Sequence, residues 1–427
     1  MRMMGRKQFV AAVAVMMLAG MAGSAMAAGK VCDVKKYGAK GDGTTKDTVA
    51  VQKAIDDCTA GSGGGTVEVP AGTYVIAPIS LKSHMTLHLA KGATLLGSPD
   101  MAEYPKVVFA RHPTVQPLVG SVNAEQITIN GEGTIDGNGH IWWDYVRGVP
   151  NAGVLGTDHP RPMGVVFDHS NHIKMEGVTV QNAGFWQIVP YYADHLVFRN
   201  IRILAPRSPN TDAIDPFSSS NIVIDHVFSS VGDDNIAIKS GEINSPGPDN
   251  PSKNIKITDC TFENGHGLSI GSEIAGGVQD VHAQRIHFKG TDQGIRIKSA
   301  RDRGNDVSNI TYTDITMEDV KTAILVTEYY PSAPPAGEVP SVPVGRLTPK
   351  FHNIRIENVT ATNSGSAGYI VGLPESPVKD MKLKNVHLAG KTGLAVAYAN
   401  VVFSNVTVKP DSGEAIKVAP TAQVTTK

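Results

Sequence analysis

The apolar positions of this chain recur in short alternating runs, each introduced by one polar residue. Gln126-Ile127-Thr128-Ile129, His172-Ile173-Lys174-Met175, His195-Leu196-Val197-Phe198 and Asn221-Ile222-Val223-Ile224 are the first copies. Asn254-Ile255-Lys256-Ile257, Asp280-Val281-His282-Ala283, Asn309-Ile310-Thr311-Tyr312, Asn353-Ile354-Arg355-Ile356 and Asp380-Met381-Lys382-Leu383 continue the series. Most copies follow one another after roughly 23 to 29 residues, within the range of solenoid repeats. Each carries two or three stretches of period-two alternation with no helical pattern between them. Strand periodicity repeated at coil length predicts an all-β right-handed parallel β-helix, every turn stacked on the last. Three intervals are longer: 137–162, with G-N-G-H-I-W-W-D-Y; 240–252; and the Pro-rich 327–350, with Tyr329 and Tyr330. Insertions in a solenoid emerge as loops on one face, so these three predict a cleft rim.

The start of the chain breaks this pattern. Residues 31–97 contain a helical stretch with Val49, Ala54 and Ile55 as its apolar face and Asp47 or Thr48 placed to cap it. Then comes G-G-G-T-V-E-V-P-A-G-T-Y-V-I, alternating residues broken by Gly and Pro. This predicts a helical N-terminal cap over the open end of the solenoid core. Earlier still, Arg2, Arg6 and Lys7 precede the apolar run 9–18 and small residues ending Ala25-Met26-Ala27. That order predicts a cleaved secretory signal over residues 1–27 and a single domain over 28–427, exported to the periplasm or the medium. The tail after Lys409 is polar and is expected to fray.

Composition narrows the function classes. With 41% apolar and 19% charged residues the chain can bury a large core. A net charge of −1 supplies no global field for nucleic acid or an anionic membrane, so attraction for a charged substrate must be local. No segment after the leader is long and apolar enough to span a bilayer. Cys32 and Cys58 can pair in an oxidising compartment, leaving Cys260 as a buried free thiol in the apolar run 255–262. No Cys/His spacing suggests zinc, and no metal, cofactor or second subunit is called for.

Candidate chemistry gathers between residues 210 and 299. The clusters are Asn210-Thr211-Asp212, Gly232-Asp233-Asp234, Gly265-His266-Gly267 and Arg296-Ile297-Lys298. Alternation sends Ile295 and Ile297 to the core, so Arg296 and Lys298 share the outer face, where paired cations suit a carboxylate; an ordinary solvated face is the rival reading. Stacked coils are about 4.8 Å apart, so Asp212, Asp233 and Asp234 can crowd. Crowding keeps one acid protonated while its neighbours stay ionised, the division of labour that glycoside hydrolysis requires. Against this, a single Asp in a solenoid more commonly caps a turn. Simple alternation also puts Asp212 on the face of Ile214, so a turn or bulge must intervene. His266, between glycines, begins the coil after the Asp pair and is placed to tune it. Trp142, Trp143, Trp186 and Tyr330 can stack on sugar rings or pack beneath loops.

These clusters resemble the polygalacturonases, family twenty-eight of the glycoside hydrolases, whose N-T-D, G-D-D, G-H-G and R-I-K motifs occur here in the family's order. The opening Y-G-A-K-G-D-G-T-T-K-D-T is also similar to the start of pectin-degrading β-helices. The resemblance covers most of the mature chain. It implies a secreted enzyme that inverts on hydrolysing α-1,4-linked galacturonan in pectin, with endo action favoured by the text. It further implies Asp233 as general acid, Asp212 and Asp234 as the carboxylates that activate water, and His266 beside them. Arg296 and Lys298 match the binders of substrate carboxylate, Asn210 a sugar contact, and Tyr330 or its neighbour Tyr329 the cleft tyrosine.

Four alternatives remain at this stage. An exo-acting enzyme shares all these motifs, and a rhamnogalacturonan or xylogalacturonan hydrolase shares the chemistry. A pectate lyase-like β-helix needs calcium, and metal independence separates it. A non-catalytic carbohydrate-binding β-helix has no need of three crowded carboxylates, and release of reducing sugar excludes it.

Overall fold

A computed structural model describes residues 29–427 apart from 62, 63, 151, 154, 206, 207 and 336. The expected secretory signal and its cleavage site lie outside the described residues. The chain winds as a parallel β-helix. Its strands pair in parallel from coil to coil, and one antiparallel hairpin, Lys106–Phe109 with His112–Val115, stands apart.

The sequence repeat is the register of one face. Ile127, Ile173, Leu196, Ile222, Ile255, Val281, Ile310, Ile354 and Met381 are partnered in unbroken succession. All are buried. The polar residue ahead of each, from Gln126 through His172, Asn221 and Asp280 to Asp380, has φ between 51° and 59°. That left-handed residue lies inside its strand, near the start, and bends it; Asn, Asp and His tolerate the conformation most readily. Several also bond along the stack: Asn254 Nδ2 donates to Asn221 Oδ1 at 2.5 Å, and Asn309 Nδ2 to Asp280 Oδ1 at 2.9 Å. Two positions on, Leu87, Ile129, Met175, Phe198, Ile224 and Ile257 form a parallel inner column. Each such side chain contributes roughly 1.5–3 kcal/mol by leaving water.

The N-terminal cap is the helix Thr48–Thr59, and Cys32 is disulfide-bonded to Cys58 across it. Its buried face is Val51, Ala54, Ile55 and Cys58; Val49, expected there, is 81% exposed. With Thr48 as the first residue, position 49 falls on the far side of the 3.6-residue turn. Asp47 precedes the helix but makes no capping bond; its carboxylate accepts from the Lys40 and Gly41 amides at 2.7 and 2.9 Å. Cys260 is free and buried, and burial pushes its thiol up to about 12. Two further expectations need correction. The first long interval does contain a helix, His140–Val146, and the tail forms strands at Ile416–Val418 and Gln423–Thr426 instead of fraying. Each of these tail strands pairs in parallel with the coil before it. No described helix is long and apolar enough to cross a membrane.

Another face carries the clusters of polar residues. Its core positions Ile188, Ile214, Ile236, Leu268, Ile295 and Ile324 are partnered from coil to coil through strands Ile236–Ile238, Leu268–Ile270, Gln293–Lys298 and Thr322–Thr327. The long intervals emerge beside this column.

Candidate active site

Counting from those aligned core residues places each candidate. Two positions earlier stand Asp212, Asp234 and His266 in successive coils. One position later stand Asp215, Ala237, Ser269 and Arg296, and three later Phe217, Lys239, Gly271 and Lys298. The parity conflict at Asp212 is resolved by a turn: residues 209–213 are not in a strand, so Asp212 does not follow the alternation that leads to Ile214. Residues 232–235 turn in the same way ahead of strand Ile236–Ile238.

The contacts are specific. Asp234 has no solvent exposure; its Oδ1 accepts from Arg296 Nη1 at 2.7 Å and Ser269 Oγ at 2.8 Å, and its Oδ2 from Lys298 Nζ at 2.8 Å. Asp233 Oδ1 lies 3.0 Å from His266 Nδ1 and accepts from the Asp234 amide, while its Oδ2 faces Asn210 Nδ2 at 3.4 Å. Asn210 is held in turn by the buried Arg161, which donates to Asn210 Oδ1 at 2.9 Å and to the carbonyls of Ala152, Gly184 and Pro209. Tyr330 lies under both cations, 4.9 Å from Lys298 Nζ and 5.5 Å from Arg296 Cζ, close enough for cation–π attraction.

Electrostatics separates the carboxylates. Burial opposes charge on Asp234, but Lys298 and Arg296 overcome it and hold this carboxyl below the usual range. Burial raises Asp212, and Asp215 and Asp233 nearby raise it further, well above the ordinary value. Asp215 is raised likewise by burial, and neither of its buried oxygens has a hydrogen-bond partner. Burial would discharge Lys239, but Glu273, Asp215 and Asp212 keep its pKa well above the ordinary value. Asp234 is therefore a fixed anion beside two carboxyls that resist ionisation.

Asn210, Asp212, Asp233, Asp234, Lys298 and Tyr330 line one cavity of about 340 Å³. His266 and Arg296 stand behind it, touching Asp233 and Asp234. Tyr330, not Tyr329, reaches the cavity, and so does Trp186, under Lys239 Nζ at 5.1 Å. Trp142 and Trp143 are buried elsewhere, against Tyr104 and His140. All three long intervals contribute to the wall, through Gly153 and Leu155, Glu242 and Ile243, and Tyr330.

Lys239, Glu273, Asp215, Arg161, His112 and Glu242 were not singled out from sequence. Lys239 had a readable signal: Ile236-Ala237-Ile238-Lys239-Ser240 repeats Ile295-Arg296-Ile297-Lys298-Ser299 two coils earlier. Atoms of Asp233, Asp234 and His266 lie within 4.8 Å of one another, a spacing that can hold a cation, but Asp234 is already matched by Arg296 and Lys298. Asp225, His226 and Asp259 converge similarly outside the cavity, with Arg199 and Arg285 as partners.

The chain is similar to known proteins. Residues 58–409 match the family model of the glycosyl hydrolases family 28. A probable polygalacturonase of Vitis vinifera is 32% identical over 83% of this chain and 74% of its own length. An endo-polygalacturonase of Pectobacterium carotovorum is 28% identical over 87% of this chain and 89% of that one. Among solved structures, a hyperthermoactive exopolygalacturonase of Thermotoga maritima superposes with a TM-score of 0.78 at 27% identity, over 90% of this chain and 93% of that one. Family, fold and the converging carboxylates agree: this chain belongs to the glycosyl hydrolases family 28.

Proposed function

We propose that the protein is an exported polygalacturonase that hydrolyses the α-1,4-galacturonosidic bonds of pectin with inversion. One observation carries this reading: three carboxylates line a single cavity, Asp234 held anionic by Arg296 and Lys298, and Asp233 bonded to His266. Asp233 donates the proton to the departing oxygen. Asp234, with Asp212 once ionised, orients and deprotonates the attacking water on the other side of the sugar. Asp212 must lose its proton to serve as base, which sets the acid limb of the rate profile above the ordinary carboxylate range. Lys298 lines the cavity over Tyr330, with Arg296 behind it, so a substrate carboxylate can approach this charged cluster from the cavity.

The test is proton NMR of the first products from polygalacturonate, where the β anomer is expected and an initial α anomer overturns inversion. Asp233→Asn should lose more than about a hundredfold in kcat with little change in KM.

The sequence text favours internal cleavage. A second reading, terminal cleavage, is supported by the wall of the cavity. His112, at the tip of the hairpin, lies 2.7 Å from Glu242, and Arg111 reaches Glu242, Ser245 and Asp249. This bridge joins the hairpin to the 240–252 loop at the cavity wall, a contact that can limit how far a long chain extends through the cleft. Product sizes over time on polygalacturonate separate the two: monomer or dimer from the outset supports terminal action, and a ladder of oligomers supports internal action.

A further inference from the structure

The column that carries the carboxylates has a gap with a purpose. Asp233, Gly265 and Asp292 each stand three residues before an aligned core position, so the two acids are two coils, roughly 9.6 Å, apart. Gly265 between them has φ +74°, and a Cβ there would collide with the Asp233 carbonyl oxygen. His266, the next residue, reaches both acids. Its Nδ1 is 3.0 Å from Asp233 Oδ1 and its Nε2 is 3.6 Å from Asp292 Oδ2, an ion-pair separation. Backbone bonds fix the spacing, from the His266 amide to the Asp233 carbonyl at 2.9 Å and from the Asp292 amide to the Gly265 carbonyl at 2.7 Å. Beyond Asp292, exposed Lys321 places Nζ 2.6 Å from the other carboxylate oxygen. The row Asp233–His266–Asp292–Lys321 thus runs from the cavity wall to solvent.

We propose that Asp292 is a positioning residue for the hydrolysis, holding His266 as an imidazolium whose near nitrogen keeps Asp233 supplied with its proton. This rests on Asp233 being the proton donor. Asp233 protonates the glycosidic oxygen as its bond to the anomeric carbon breaks. Water adds its oxygen to that carbon and gives a proton to the opposing carboxylate. The Nδ1 proton then passes to Asp233, leaving neutral His266 with its Nε2–H toward Asp292. On product release Nδ1 regains a proton from solvent and the base returns one. The charges facing His266 are Asp233, Asp234 at 4.0 Å, Asp292 and, opposing them, Arg296, with Lys321 partly neutralising Asp292. Burial lowers the imidazole pKa, but the bond and charge of Asp233, with Asp234, outweigh it, so His266 lies above its ordinary value. Above its raised pKa the Asp233–His266 pair has no proton to give, and turnover falls.

The experiment is the pH dependence of kcat for the parent, Asp292→Asn and Lys321→Ala, with His266 titrated by NMR in each. Removing the carboxylate should move the alkaline limb and the His266 titration down by about half a pH unit or more, with KM unchanged. Removing the lysine should move both upward by less. Opposite directions cannot come from general damage to the fold. A limb unmoved in Asp292→Asn, or moved the same way in both variants, overturns the proposal. Asp233→Asn run alongside separates the two readings. If it keeps turnover, the donor assignment fails; if it is inactive and the limb stays put, only the role of Asp292 fails.

Discussion

Asp215 is the residue on which the architecture places the heaviest burden. It is fully buried, both oxygens lack partners, and Asp212, Asp233 and Asp234 face it along with Lys239 and Lys298, whose charges do not overcome the burial. A carboxyl whose folded pKa is raised destabilises the native state above that pKa and stops doing so as pH falls through it. Asp215→Asn should therefore raise stability at pH 7 by on the order of 1–3 kcal/mol, with the gain shrinking toward pH 4 as the parent takes up its proton. Melting curves at both pH values check this, and an equal or lower Tm of the variant at pH 7 contradicts it. Residues of this kind show the limit of reading motifs. Asp212, Asp233, Asp234, His266, Arg296 and Lys298 stood in recognisable clusters, whereas Arg161 and Glu273 act through distances that only stacking creates. Lys239 lies between these cases, since its I-A-I-K-S run copied the strand already singled out.

Among the elements, the solenoid strands were legible because one residue spacing sets both core and register. The left-handed residue near the start of each strand explains why the repeat begins with Asn, Asp, His or Gln. Less legible was the hairpin Lys106–Phe109/His112–Val115, which follows no repeat and turns through Ala110 and Arg111, both with positive φ. Neither is the Asn or Gly that usually marks such a tight turn. Yet this hairpin supplies half of the bridge over the cleft. Glu242→Ala removes the partner of His112 and one partner of Arg111. If the bridge enforces terminal cleavage, the variant should lose viscosity severalfold faster per reducing end released than the parent. An unchanged ratio means that the bridge does not control where chains are cut.

At the scale of the whole molecule, each coil touches little beyond its neighbours, so stability is close to a sum of coil and interface terms. The near-neutral chain has no global field, so on the proposed function recognition of an acidic polymer falls to the few cations of one face. The fold class followed from periodicity alone. The meeting of four clusters spread over residues 210–299 did not, because it depends on which turns leave the alternation.

The two ends of the solenoid are unlike. One is sealed by helix Thr48–Thr59 and the Cys32–Cys58 bond, while the other finishes on strand Gln423–Thr426, most of it exposed. Coils held by fewer buried contacts open before those that are sealed, so unwinding has a direction. Warming should loosen the final coils first, and a protease should trim fragments from beyond residue 399 while glycosidase activity persists. Mass spectrometry of the fragments, timed against residual activity, reads this order, and first cuts near the helix would reverse it. Several turns of winding separate strand Gln423–Thr426 from strand Gln293–Lys298, and they serve as a sacrificial length: the enzyme can lose coils before it stops.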